Sequence, residues 1–231
     1  MTLGPEIVVL VDFDGTLLPR NSFHLWLRFI LLGKLRTIPV TARFFCKLKV
    51  LLFVFLRIVR IIDHAGLKCR IQESWDVAVR RSPEQGVEIG QFVDLLVARI
   101  NPGLLVEVRT FQDAGAKLIL TTAAVAEYAV PVGRRLGFDD VVATPAFGHG
   151  PWFHNMGVAK METTLGVLED RHWQAARRIF YTDHADDKPL MEHVDEVHLV
   201  AGDQQSAERL SKVVPGGKRV VVFRYEGGLR T

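Results

Sequence analysis

Asp12 and Asp14 stand two residues apart at the end of the apolar run Ile7-Val8-Val9-Leu10-Val11, with Gly15 and Thr16 directly behind them. Residues i and i+2 of a strand point to the same face, so both carboxylates address one ligand. A carboxylate is a weak nucleophile. It needs a cation to neutralise an approaching phosphate and a neighbouring acid to protonate the leaving oxygen. Asp14 is a candidate for that acid. Gly15 permits a tight turn and close backbone approach, and the Thr16 hydroxyl can tie that turn down. An acidic pair after an apolar strand is equally a turn with solvated carboxylates, so its meaning depends on the rest of the chain.

Complementary pieces come in order along it. Leu118-Ile119-Leu120-Thr121-Thr122 is an apolar run ending in hydroxyls. A helix starting after it offers backbone N–H groups to an anion, which makes Thr122 a candidate phosphate ligand. Lys160 begins a predicted helix after a turn-rich stretch holding Gly148, Gly150 and Gly157. There an ammonium offsets charge on both a phosphate and Asp12; read singly, it is surface solvation. Arg178-Ile179-Phe180-Tyr181-Thr182 delivers Asp183-His184-Ala185-Asp186-Asp187, whose oxygens suit a hard magnesium ion.

Something must bring these residues to one place. Short apolar runs predict strands over 7–11, 117–121, 141–144, 178–182, 196–200 and 219–223, with helices over 104–113, 127–136, 160–168, 189–193 and 206–213. Such alternation is the mark of an α/β fold, a Rossmann-like parallel sheet with helices on both faces. Ligands bind there beyond the carboxyl ends of the strands, where the aspartates stand. Between the first two strands the chain shows no strand pattern for far longer than a plain crossover needs. We therefore expect an inserted α-helical cap over 18–102 and a catalytic core over 1–17 and 103–231.

The 231 residues are 24% charged and 48% hydrophobic with 10 prolines, the balance of a folded chain rather than a disordered one. Cys46 and Cys69 lack the spacing of a metal site or redox pair, so a reduced, cytoplasmic setting is expected. The N-terminus carries no basic leader followed by an apolar core and cleavage site, and no signal peptide is expected. A net charge of +3 is mild, and no nucleic-acid partner is expected. Its distribution says more: Arg28, Lys34, Arg36, Arg43, Lys47, Lys49, Arg57 and Arg60 occur in 28–60 without one Asp or Glu. The same region is apolar, from Phe23 to Leu32 and again over Val50–Leu56. Basic residues interrupt every window long enough to span a bilayer. A helix hairpin lying in the membrane interface, at the inner face of the cytoplasmic membrane, explains both apolar excess and cationic bias. A helical lid packed on itself, on the core or on a second subunit explains the apolar excess alone.

Asp12-Phe13-Asp14-Gly15-Thr16-Leu17, Thr122, Lys160 and Asp183 with Asp187 together resemble the four ordered motifs of the haloacid dehalogenase superfamily. Glu127-Tyr128, Leu136-Gly137, Ala143-Thr144 and Asp187-Lys188-Pro189-Leu190 resemble the branch that includes phosphoserine phosphatase. The resemblance implies a magnesium-dependent phosphatase working through an aspartyl-phosphate. In it Asp12 is nucleophile, Asp14 acid and then base, and Thr122 and Lys160 bind phosphate beside Gly15 and Thr16. Asp12, the Asp14 main-chain oxygen and Asp183 hold magnesium, and Asp187 supports the metal site. The apolar, cationic cap resembles that of the C-type phosphatidylglycerophosphatases, which implies a lipid phosphate as substrate and peripheral membrane contact. A soluble small phosphate ester is the alternative within the class, and a catalytically silent membrane or protein interaction module the alternative outside it. Thr122 stands where serine is commoner, Thr182 where glycine is usual and His184 where serine often stands. Arg20, Ser22 and His24 enter the cap next to the nucleophile loop, where they can face a substrate. His64, His149, His154, Trp26 and Trp152 are expected to be structural, and His149–Trp152 to form a hairpin or flap.

Overall fold

The computed structural model describes residues 6–224 apart from 83, 85 and 149. Six parallel strands form one sheet: β1 (Ile7–Val11), β2 (Lys117–Val125), β3 (Asp140–Thr144), β4 (Arg177–Thr182), β5 (Glu196–Ala201) and β6 (Arg219–Arg224), in the order β3-β2-β1-β4-β5-β6. Each arises where an apolar run predicts a strand; β2 continues four residues further than expected. Side chains of β1 alternate between two cores. Val9 and Val11 face one, Val8 and Leu10 the other, and all four are fully buried, as a strand covered on both sides requires. The chain leaves β1 toward β2 on one side and later crosses to β4 on the other. That reversal opens a crevice beyond the carboxyl ends of β1 and β4.

Four helices occupy the stretch between β1 and the helix before β2: α1 (Ser22–Leu32), α2 (Val40–Ile58), α3 (His64–Val79) and α4 (Val87–Val97). Asn21 caps α1 by accepting from the His24 N–H, and Asp63 caps α3 by accepting from the Gly66 N–H. Then come α5 (Pro102–Asp113), capped by Asn101 with proline in its first turn, and α6 (Ala126–Leu136), α7 (Val158–Asp170), α8 (Lys188–Met191) and α9 (Gln204–Ser211).

The first helices do not form a core of their own. Phe23, Trp26 and Ile30 of α1, Trp75 of α3 and Phe92 of α4 belong to the same buried cluster as Val9, Val11 and Leu120 of the sheet. Tyr128 of α6 joins them, its ring edge-on to Trp26 at 5.6 Å and to Phe92 at 5.1 Å.

Helix α2 behaves differently. Of its 19 residues only Ala42, Cys46 and Val50 are buried, while Phe44, Phe45, Leu48, Leu51, Leu52 and Phe55 are each at least half exposed. The apolar excess read in the sequence thus divides, inward on α1 and outward on α2. Among the described residues no single helix is long and apolar enough to cross a membrane. Helices α4 and α5 reach that composition only as a pair bent by 94°, and Phe92, Leu96, Leu104 and Val108 in them lie in the core.

Candidate active site

At the end of β1 the Asp12 N–H still pairs with the Tyr181 carbonyl of β4, so the nucleophile candidate is held by the sheet itself. The chain then turns back, with Gly15 N–H donating to the Leu18 carbonyl. Gly15 adopts φ +82°, and a Cβ there would fall 1.9 Å from Oδ2 of Asp183. Glycine is required for both reasons: the left-handed backbone and the carboxylate pressed against it.

Lys160 Nζ, only 2% exposed, donates to Asp12 Oδ1 at 2.7 Å and to both oxygens of Asp187 at 2.8 and 2.9 Å. The Thr16 hydroxyl lies 3.0 Å from Asp183 Oδ1 and 3.4 Å from Asp12 Oδ2. Thr182 donates its hydroxyl proton to Asp187 Oδ2 at 2.6 Å, which gives this departure from the family's glycine a physical task. Asp14 accepts from the Ser22 N–H at 2.7 Å and from the Ser22 hydroxyl at 2.9 Å, and that hydroxyl lies 2.9 Å from the Tyr128 oxygen. Thr122 lies where β2 slips register between Thr121 and Val125, and α6 begins at Ala126, one residue before the expected start. The irregular stretch is pinned from behind. Asn155 donates its amide to the Thr122 carbonyl at 2.8 Å, and Thr144 donates its hydroxyl to the Ala123 carbonyl at 2.8 Å.

Two carboxylates, Asp12 and Asp187, therefore share one ammonium, with Asp183 beside them on the Thr16 hydroxyl. Burial pushes the Asp12 carboxyl up to about 8, with Asp187 and Asp183 adding to the shift and Lys160 opposing it. Burial likewise pushes Asp183 up to about 6, with Thr16 opposing. Burial would lower Lys160, but Asp12 and Asp187 outweigh it and hold the ammonium above its ordinary value. Asp14 is also raised by burial, against its two bonds from Ser22. Among the described residues no three His, Cys, Asp or Glu side chains form a ready-made metal cluster. The donors that fit an ion are fewer: Asp12 and Asp183, linked through the Thr16 hydroxyl. Such oxygens suit magnesium. Asp187 is occupied differently, since Lys160 and Thr182 take both its oxygens.

Asp12, Asp14, Gly15, Thr122, Lys160, Asp183 and Asp187 all line one cleft of about 460 Å³. Arg20 reaches its wall, Ser22 meets Asp14, and the His24 N–H serves only the cap of α1. His184, 59% exposed along its side chain, stands at the rim and accepts from the Asp186 N–H at 3.2 Å. Trp152 donates its ring N–H to Gln72 of α3, joining the 145–157 connection to the first helices, whereas His149 lies outside the described residues.

Three titratable lining residues escape the sequence reading: Lys68 on α3, and His64 and His154, expected there to be structural. His64 and Lys68 are four apart on one helix and so share a face. That spacing was the available signal, but nothing in the sequence says which way the face points.

A Rossmann-ordered parallel sheet with a carboxylate-lysine cluster at its carboxyl edge and a helical insertion after the first strand defines a Rossmann-like α/β protein with its candidate site at the strand ends. The haloacid dehalogenase-like hydrolase family matches residues 9–192, and the chain belongs to it. Among solved structures it is similar to a protein of unknown function from Bordetella pertussis Tohama I, with 18% identity, TM-score 0.67, and 94% of this chain and 98% of that one covered. It is also similar to a probable phosphoserine phosphatase from Vibrio cholerae, with 13% identity, TM-score 0.63, and coverage of 95% and 60%. A third is a phosphoserine phosphatase solved as a phospho-aspartyl intermediate analogue, with 11% identity, TM-score 0.52, and coverage of 95% and 94%. At these identities the likeness speaks to the fold. No curated protein matches the sequence significantly.

Proposed function

We propose that this protein hydrolyses phosphomonoesters with magnesium through a phosphorylated Asp12. The observation that carries the reading is the buried contact of Lys160 with Asp12 at 2.7 Å, in a cleft where Asp14, Thr122 and Asp183 converge. Asp12 attacks phosphorus, and the ester oxygen leaves with the electron pair of the broken P–O bond and a proton from Asp14. Burial favours the protonated form of Asp14 that this step needs. The resulting Asp14 carboxylate takes a proton from water, whose oxygen attacks phosphorus. The Asp12–phosphorus bond breaks, inorganic phosphate leaves, and the Asp12 carboxylate is restored. Lys160 and Thr122 hold the phosphoryl oxygens. Asp187 fixes Lys160, supporting the metal site from behind rather than as a ligand. Asp12, the Asp14 main-chain oxygen and Asp183 would hold magnesium, which when bound would supply positive charge to the transferring group. Residues 18–102 act as the cap that limits water and selects substrate, and 1–17 with 103–231 as the catalytic core.

The test is phosphate release by purified protein with magnesium, across soluble esters and phosphatidylglycerophosphate in mixed micelles. EDTA is expected to abolish release. Independently of turnover, saturating magnesium is expected to raise the melting temperature by about 5 to 10 °C, because binding at a hundredfold excess over Kd adds ~2.7 kcal/mol to a chain of this size. Asp183→Ala should lose that increment. Release that persists in EDTA contradicts the metal assignment, and no release from any ester moves the reading toward a silent interaction module.

We further propose that the substrate is a lipid phosphate met at a membrane surface. The exposed apolar face of α2 favours this, because apolar patches so large are rare on free surfaces, and Lys34, Arg36, Arg43 and Lys47 line a niche beside it with no acid between residues 28 and 60. The protein should co-sediment with vesicles containing phosphatidylglycerol at low ionic strength. Replacing Phe45 and Leu52 by Asp should weaken that binding at least about tenfold. Indifference to such vesicles would favour a soluble ester and leave the α2 face to another subunit.

A further inference from the structure

Lys68 is buried, with 4% exposure, yet no carboxylate is its hydrogen-bond partner. Its Nζ donates to the Ala123 carbonyl at 2.9 Å and lies 3.0 Å from Nε2 of His154. The nearby acids are engaged elsewhere, Asp12 by Lys160 and Asp14 by Ser22. A buried ammonium costs free energy unless an opposite charge meets it. Lys160, in the same cleft, has two carboxylates; Lys68 has a carbonyl, an imidazole and the face of Phe23 at 5.6 Å.

The surroundings keep that charge single. His64 packs edge-on to His154 with ring centroids 5.9 Å apart, and both line the cleft. Burial, reinforced by the Lys68 ammonium, lowers His154 to about 4 and lowers His64 as well, so both rings are neutral where Lys68 is charged. One cation flanked by two imidazoles with N–H protons to donate is a receptor for one anion. Its cation and His64 come from α3, in the helical insertion, and His154 from the connection after β3, whereas Lys160 and Thr122 come from the sheet side. The two positive centres thus approach the cleft from different elements.

We propose that Lys68, with His64 and His154, holds a second anionic group carried by the leaving portion of the substrate. This rests on the phosphomonoesterase reading and narrows it: the substrate is a phosphomonoester bearing another negative charge, either a carboxylate on a small molecule or the phosphodiester of a lipid headgroup. Esters without the second charge leave the Lys68 ammonium unmatched and turn over poorly.

The experiment compares kcat/KM of wild-type, Lys68→Met and Lys68→Arg protein on matched pairs. The soluble pair is 2-phosphoglycolate and ethyl phosphate; the lipid pair, in mixed micelles, is phosphatidylglycerophosphate and phosphatidic acid. Methionine preserves the side-chain stem, and Thr144 still satisfies the Ala123 carbonyl, so the variant should fold. Wild-type protein should prefer the doubly anionic member of one pair, and the pair that shows it identifies the source of the charge. Lys68→Met should lower kcat/KM on that member by about 30-fold or more while changing its partner less than about threefold, and Lys68→Arg should recover most of the loss. Equal losses on both members would make Lys68 a prop for the β2 irregularity and overturn the proposal, as would a wild-type protein without preference. If wild-type protein cleaves none of the four, the phosphatase reading has failed separately. Calorimetric binding of 2-phosphoglycolate against ethyl phosphate then decides the subsite: tighter binding of the first, lost in Lys68→Met, supports it, and equal binding refutes it.

Discussion

Asp12→Asn is expected to lower phosphate release by at least about 10⁴-fold while the chain stays folded, as befits loss of a covalent nucleophile. The amide has the carboxylate's shape and its oxygen still accepts from Lys160, which keeps Asp187 as counter-ion within 2.9 Å. Nor does the fold depend on the charge. Burial already pushes the Asp12 carboxyl up to about 8, so an ionised group at this position is a burden the folded state carries for function. Without metal, the variant's thermal midpoint should match or exceed the wild-type value. Substantial turnover by a folded Asp12→Asn protein would end the aspartyl-phosphate mechanism. A second comparison separates the two acids: Asp14→Asn retains the nucleophile but loses the base for dephosphorylation, so phosphorylated protein should accumulate in that variant and never in Asp12→Asn.

Much of this geometry was legible because it depends on local rules. The run Ile7–Val11 forms a strand buried on both faces because it has no polar alternation, and a strand of that kind demands parallel neighbours on each side. Once β1 is central, residues just past its end must meet residues at the carboxyl-terminal part of β2 and just past the end of β4. Asp12, Thr122 and Asp183 therefore come to one edge without any knowledge of their side-chain contacts. The features that sequence left open depend on packing between distant segments. Thr122 lies in an irregular stretch where β2 slips its register against β3, pinned by Asn155, 33 residues from Thr122, and by Thr144, 21 residues from Ala123. The apolar segments of 23–56 looked alike by composition. Which of them turns inward is decided by Tyr128 and Trp75, against which Trp26 packs, and α2 finds no such partners. The opposition of Lys68 and His154, 86 residues apart, is likewise a product of how α3 lies over β2.

Lys160→Met should be the most damaging single change to stability at this site, because it removes the one ammonium that two buried carboxylates share. Breaking a buried ion pair by deleting one partner costs about 3 to 5 kcal/mol, since the remaining charge is left without compensation. The methionine keeps contact with the Phe180 ring, over which the lysine ammonium lies at 5.4 Å, so the loss is electrostatic rather than a matter of volume. Its pH dependence has a definite sign. Asp12 titrates near 8 even with Lys160 beside it, and without Lys160 it must move higher. The folded variant then holds protons that the unfolded chain has already released above its ordinary carboxyl value of 3.8. Its stability accordingly falls as pH rises from about that point through neutrality. Urea unfolding of wild-type and Lys160→Met protein in EDTA should therefore show a deficit that is nearly constant from about pH 4 to pH 7, where both folded proteins keep the Asp12 proton, and that widens as pH rises through about 8, where the wild-type protein releases it. A deficit independent of pH would mean that Lys160 serves the fold by packing alone, and its contact with Asp12 would lose its electrostatic meaning for the phosphoryl group as well.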